Sequence, residues 1–259
     1  VNNIVNFPVH EVVVTSDGPR NCFIDGVTNV RDIGGYKSYL VENGTIRQGL
    51  YYRGANLNDI TEEGKRQLTD VLGVGAEIDL RDKDQCKGPY VDGVDYYPFP
   101  IPSGTENMRF EVFDNEYYGI FTVISNADKS PVYLHCTAGA DRTGISTFML
   151  LTVCGVDYDD IARDYLFTNF STHGARYIEN EFVKWWTKLE KMFGDTMAEN
   201  AAEWMKSKGI EEEKIERIRE IFVDGYISDI DRELKYEVVC DKPDANGNIS
   251  FCSNSAPES

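Results

Sequence analysis

The sequence of 259 residues contains no apolar run of the roughly 20 residues that a helix needs to cross a bilayer. It has only three histidines, no Cys-x-x-Cys pair and no Cys/His spacing of the metal-binding kind, which argues against a structural zinc. Basic residues are scarce: 26 Lys and Arg against 44 Asp and Glu leave a net charge of −18. A field of that sign repels nucleic acid and anionic membranes, so no nucleic-acid partner and no stable membrane anchor are expected. Any anion the protein handles must be held by a local site that works against the overall charge. The chain opens on Val1 rather than methionine, so the lack of a signal peptide carries no information about compartment.

What is present suffices for a sizeable core, since 41% of the residues are hydrophobic. The cysteines are Cys22, Cys86, Cys136, Cys154, Cys240 and Cys252. Cys154 ends an apolar helix and reads as core. Cys240 and Cys252 flank an Asn-Gly hairpin signal at Asn246 and Gly247 and could face each other. A disulfide there would lean toward a secreted or extracytoplasmic setting; two reduced thiols are the equal alternative.

Strand signals occur at residues 4–14, 46–52, 76–80, 94–99 and 132–135. Helical signals occur at 61–72 with Thr61 as N-cap, then at 110–125, 143–153, 159–170, 175–193, 196–206 and 211–223. Strands alternating with helices, followed by a helical remainder, predict an α/β fold. Its central sheet is mostly parallel and flanked by helices, and its C-terminal part is helical. The expected division is an N-terminal strand extension over 1–20, a main domain over 21–235, and a hairpin or loose tail over 236–259.

The stretch His135-Cys136-Thr137-Ala138-Gly139-Ala140-Asp141-Arg142-Thr143-Gly144 lies where a predicted strand passes into a predicted helix. A loop of this length can curl so that its amides point inward at a helix N-terminus, forming an anion cradle. Thr137, Ala138, Gly139, Ala140 and Thr143 would line it, and the small residues let the backbone approach a ligand closely. Arg142 can bind an oxyanion with two N–H groups. Cys136 sits at the bottom, where the helix dipole and Arg142 lower its pKa and make it a thiolate nucleophile. Thr143 can hydrogen-bond that thiolate, and His135 can orient the loop from behind. A thiolate beneath a tetrahedral oxyanion cradle suggests phosphoryl transfer through a thiophosphate. That chemistry needs no metal or other cofactor.

This stretch resembles the signature loop of the cysteine-based protein tyrosine phosphatase superfamily. Other stretches are similar to its bacterial and fungal tyrosine/serine phosphatase family: residues 29–36, 52–57, 72–75, 78–81 and 164–166, and the helices over 201–222. The similarity spans roughly residues 20–225. It implies a hydrolase acting on phosphotyrosine, with dual specificity left open, whose substrate is a phosphorylated protein or small phosphomonoester. Phosphoinositide or inositol phosphate hydrolysis is the first alternative. An arsenate-type oxyanion reductase or an inactive phosphate-binding module is the second. The family's usual acid-bearing region, residues 96–106, holds no aspartate. The resemblance then implies Asp141 as general acid, with Glu106, Asp82 and Asp84 in reserve; the alternative for Asp141 is a helix N-cap. Relatives acting on phosphoinositides often carry Lys where this chain has Ala140, and the family often has Ser where it has Ala55. The first departure removes a cation for a second phosphate.

Asp79 and Arg81 read as a buried ion pair bracing the site, with Arg81 facing substrate as the alternative. Arg31 and Asp32 read as a brace fixed by the Gly34-Gly35 turn. Phe182, Trp185, Trp186, Leu189 and Phe193 recur at helical spacing and read as core, or else as a lid. Tyr96, Tyr97 and Phe99 among Pro98, Pro100 and Pro102 read as a rigid loop near the mouth.

Overall fold

The computed structural model describes residues 21–105, 109–179, 181–192 and 194–228. The predicted strand at 4–14, Glu106, Phe193, and Cys240 and Cys252 with their hairpin all lie outside these residues.

The sheet is built from β1 (Arg31–Asp32), β2 (Tyr51–Gly54), β3 (Ala76–Asp79), β4 (Asp95–Pro98) and β5 (Val132–His135), in the order β1-β2-β5-β3-β4. Only β1 runs antiparallel to its neighbour. Every residue of β2, β3 and β5 is buried, the pattern of parallel strands covered on both faces. Side chains alternate between two cores. Tyr51, Ile78 and Leu134 join the larger one, while Tyr52 and Tyr133 join the smaller.

Helices α1 (Glu62–Arg66), α2 (Asp114–Ile124), α3 (Arg142–Val153), α4 (Tyr158–Leu166), α5 (Phe182–Leu189), α6 (Met197–Ser207) and α7 (Glu212–Phe222) complete the fold. Thr61 caps α1 by accepting the Gly64 amide at 3.0 Å, and α1 runs on as one π-type turn over Gln67–Val71. All twelve residues of α3 are buried, as befits the central helix of the larger core. On α5, Phe182, Trp185 and Leu189 are buried, and Phe182 and Trp185 pack on Phe148 with ring centroids 5.6 and 5.9 Å away. That aromatic face is core.

Beyond β1, which no strand signal marked, three elements differ from the sequence expectation. The strand expected at 46–52 starts only at Tyr51, because Gly49 turns the chain with φ +77°; Ile46 makes just an isolated bridge to Val223. The helix expected at 110–125 starts at Asp114, because Phe113 is left-handed with φ +71°. The helix expected at 175–193 is reduced to α5. Upstream of it, the Asn169 side chain takes both the N–H and the C=O of Arg176, at 2.5 and 2.8 Å, and so removes them from any helical ladder.

Candidate active site

The parallel strands β2, β5 and β3 end level with one another, since Gly54 and Asp79 both pair with His135. The loop 136–141 leaves from that edge, where open parallel sheets bind ligands. Its shape follows from close packing on β2. Gly139 has φ +67°, and a Cβ there would fall 2.1 Å from the Gly54 carbonyl oxygen.

Three side chains behind the loop hold its carbonyls outward. Asn56 donates to the Thr137 carbonyl at 2.9 Å, Asn29 to that of Ala138 at 2.9 Å, and Arg53 to those of Gly139 and Ala140 at 2.9 and 3.3 Å. Within a peptide unit the C=O and N–H point in opposite directions. Carbonyls bonded outward therefore leave the amides of residues 138–141 turned toward the hollow, which makes the cradle.

Arg53 is held in turn by Asp164 of α4. Its Nη1 lies 2.5 Å from Oδ2, and Arg31 Nε lies 3.0 Å from Oδ1. All three side chains are at most 2% exposed. Asp32 faces the other way, as strand neighbours do, and accepts the amides of Gly34 and Gly49 at 2.7 and 2.6 Å. Arg31 is thus a brace to α4, and Asp32 a brace to the turns.

Beneath the cradle, His135 Nε2 lies 2.9 Å from Glu77 Oε1 and its Nδ1 lies 3.3 Å from the Cys136 carbonyl. Asp79 and Arg81 form a buried pair at 2.7 Å, and Tyr96 donates to Asp79 at 3.0 Å. Arg81 also reaches Asn58 and the Tyr90 hydroxyl at 2.8 and 2.6 Å, so its donors are largely committed within the fold. Glu77, Asp79 and His135 could group around a cation. Instead, Glu77 and His135 bond each other and Arg81 takes Asp79.

Arg142, in the first turn of α3, donates to the carbonyls of Ile101 and Leu80 at 2.9 and 3.3 Å and to the Thr137 hydroxyl at 3.0 Å. It stretches over the hollow with Asp82 Oδ2 3.8 Å away.

The profile of the tyrosine phosphatase family matches residues 23–224. The chain belongs to the tyrosine phosphatase family. It is 25% identical over 189 residues to a protein of Cupriavidus necator named as a tyrosine-protein phosphatase, covering 62% of this chain and 68% of that protein. It is 24% identical over 210 residues to the triple specificity protein phosphatase PtpB of Mycobacterium tuberculosis, covering 62% and 74% of the two. Among solved structures, the catalytic core of the PP-IP phosphatase SIW14 of S. cerevisiae is 17% identical with a TM-score of 0.40, covering 62% of this chain and 93% of that one.

In this phosphatase Cys136 is buried at the base of the cradle. Burial alone would push its thiol pKa up. The Arg142 charge, the Thr143 hydroxyl and the Thr143 amide outweigh burial and the Asp141 charge, and hold it below the ordinary cysteine range. The Thr143 hydroxyl is itself buried without a hydrogen-bond partner, and it is among the groups that lower the Cys136 pKa. Replacing Thr143 by Ala removes one stabiliser of the thiolate and raises the Cys136 pKa. The thiolate then forms only at higher pH, so the acid limb of kcat/KM should move to higher pH. A pH-rate profile of the variant on p-nitrophenyl phosphate reads this directly, and an unmoved limb would refute the role.

The carboxylates at the mouth differ. For Asp82 burial pushes upward, but hydrogen bonds from Ser103 and the charges of Arg142 and Arg109 bring its pKa below the usual range, so it stays charged. Asp84 is exposed on a pocket that also touches Thr137. Asp141 occupies the N-cap position of α3 yet makes no cap bond. Its two oxygens are instead gripped by Arg176, with Nε–Oδ1 and Nη2–Oδ2 both 2.9 Å. Sequence reasoning missed Arg176, because the residue lies in a segment that reads as helix. It also gave no roles to Asn29, Arg53, Asn56 and Glu77, which sequence spacing does not bring near residue 136.

Proposed function

We propose that this phosphatase hydrolyses phosphotyrosine in two steps, with Cys136 as nucleophile, Arg142 and the loop amides as the oxyanion cradle, and Asp141 as the proton carrier. The observation that carries the reading is Cys136, buried beside a loop whose carbonyls are bonded outward, with Arg142 and Thr143 together lowering its pKa. The thiolate attacks phosphorus, the P–O bond to tyrosine breaks, and Asp141 gives its proton to the departing oxygen. Water then attacks the thiophosphate and passes a proton to the Asp141 carboxylate. The S–P bond breaks, and phosphate and thiolate are regenerated. Arg142 and the amides meet the charge of both transition states without reorganising.

A net charge of −18, with Ala140 in place of a cation, gives little for a second phosphate to bind. Arg176 does not supply that cation, because its N–H groups are taken by Asp141 and by the carbonyls of His173, Gly174 and Ala175. This supports phosphotyrosine over polyphosphorylated inositols. Phosphate release from phosphotyrosine, phosphoserine and phosphothreonine peptides, inositol lipids and phytate tests it. Release is expected to be greatest from phosphotyrosine, insensitive to chelator and blocked by vanadate. A higher kcat/KM on a polyphosphorylated inositol would overturn the substrate assignment.

Asp141→Asn should cut kcat on phenyl phosphate about 100-fold and on p-nitrophenyl phosphate only a few-fold, because a good leaving group needs little protonation. Steady-state kinetics on the pair measure this, and equal losses would remove Asp141 as the acid.

A further inference from the structure

We propose that Arg176 is a positioning residue for the reaction: it aims Asp141 at the departing oxygen and stabilises the carboxylate that Asp141 becomes as it gives up its proton. The proposal rests on the reading of Asp141 as the proton carrier. It starts from what Asp141 does not do. A helix N-cap aspartate normally accepts a backbone amide of the first turn, and this one accepts none. Its carboxyl is turned instead into a two-bond fork with Arg176, the strongest geometry an arginine and a carboxylate can make. The Tyr165 hydroxyl approaches Oδ1 at 3.5 Å from a third side.

Arg176 is itself held in place. Asn169 clamps its backbone from both sides. Its Nη1 donates to the carbonyls of His173, Gly174 and Ala175 at 3.2, 3.3 and 3.4 Å. The His173 ring is in turn 2.8 Å from the Thr28 hydroxyl, which ties the loop to the segment before β1. The loop 169–176 therefore presents one guanidinium in one place. The pair is neither fully buried nor free in solvent, with side chains 21% and 28% exposed. An exposed ion pair between mobile side chains contributes little. This contact is held in place, partly desolvated, and its Asp141 is directly beside Arg142 in sequence, so it can act on chemistry rather than on stability.

The charge bookkeeping fits the two steps. In the first, a proton leaves the Asp141 carboxyl for the ester oxygen while the P–O bond breaks. Negative charge appears on Asp141 at the moment its partner is a fixed cation. An interaction stronger in the transition state than in the bound substrate lowers the barrier. In the second step the same carboxylate, still aimed, takes the proton of the attacking water.

The test is steady-state kinetics of wild type, Arg176→Ala, Arg176→Lys, Asp141→Asn and the Ala/Asn double variant on phenyl phosphate and p-nitrophenyl phosphate. Arg176→Ala should lower kcat on phenyl phosphate by about 10- to 30-fold and on p-nitrophenyl phosphate by less than about threefold, the selective pattern of a lost proton donor. The double variant should be no slower than Asp141→Asn alone, because the two side chains act as one unit. Lysine keeps the charge but not the fork, so it should recover part of the loss. Equal losses on both substrates, losses that multiply in the double variant, or faster turnover of phenyl phosphate in Arg176→Ala would each overturn the proposal. Should Arg176→Ala fail to fold, Asn169→Ala loosens the clamp while leaving the guanidinium. It should show a smaller loss with the same selectivity, and an unselective loss overturns the proposal equally. Failure of the underlying reading looks different: wild type would hydrolyse neither substrate, or Asp141→Asn would lose both equally.

Discussion

Cys136→Ser should lose turnover on every substrate by at least about 10⁴-fold, the scale seen when an enzyme's nucleophile is removed, and should still bind oxyanions. The reason lies in how the site activates its nucleophile. Arg142 and Thr143 bring the Cys136 thiol below its ordinary range against the cost of burial. A serine hydroxyl starts many units higher, and the same stabilisation leaves it neutral, so no nucleophile forms at neutral pH. The cradle is untouched, because its amides are set by Asn29, Asn56 and Arg53 from behind. Titration calorimetry with vanadate or phosphate should therefore give a dissociation constant within a few-fold of wild type, beside a kcat at background. Residual turnover above about 1% of wild type would show that the sulfur is not the nucleophile. Loss of vanadate binding would show that the thiolate, not the loop, holds the anion in place. In wild type the sign of the shift also predicts activity that persists to lower pH than an ordinary cysteine thiol would allow. It should fall only as the pH passes down through the lowered Cys136 pKa and the thiolate takes up a proton.

Asp164→Ala should destabilise the fold by about 3–5 kcal/mol, as expected when one member of a buried ion network is deleted. Asp164 is the counter-charge for two buried guanidinium groups, Arg31 at 3.0 Å and Arg53 at 2.5 Å. Burial and the neighbouring Arg53 charge already depress the pKa of Arg31. Without the carboxylate, two like charges face each other in the interior with nothing between them. A loss of this size is a large fraction of the 5–15 kcal/mol that a typical domain has in total. The damage should also spread to chemistry, since Arg53 orients the Gly139 and Ala140 carbonyls. Urea unfolding followed by tryptophan fluorescence measures the effect. A change in unfolding free energy under about 1 kcal/mol would mean that the network is dispensable. Asp164→Asn preserves shape but not charge, and it should fall between wild type and Ala.

These two residues mark how differently the site could be read from the chain. Cys136 and Arg142 are legible because they are neighbours in one loop whose flanks have clear periodicity. The strand expected at 132–135 is β5, and the helix expected at 143–153 is α3 to within one residue. The pattern there is local, so local signals suffice. Asp164 lies 111 residues from Arg53 and 133 from Arg31, on a helix that composition marks as ordinary and amphipathic. Its role exists only once α4 is packed beside β1 and β2.

Asp141 falls between these cases. The family resemblance implies it as the acid, with a helix N-cap as the alternative, and in the structure its side chain makes no cap bond. What it makes instead, the fork with Arg176, was hidden by a helical signal over 175–193. That segment has helical periodicity only in its second half. In the first half the Asn169 side chain competes for the backbone of Arg176, and a contact between residues seven apart outweighs propensity.

The sequence by itself determined the nucleophile, the cradle and the order of strands and helices around them, because each is written in residues close together along the chain. The tertiary structure decided which charges brace the loop from behind and which cation holds Asp141. Those pairings join segments that meet only when parallel strands and their crossover helices bury their apolar faces, and a buried charge then takes as its partner whatever the fold has brought within reach.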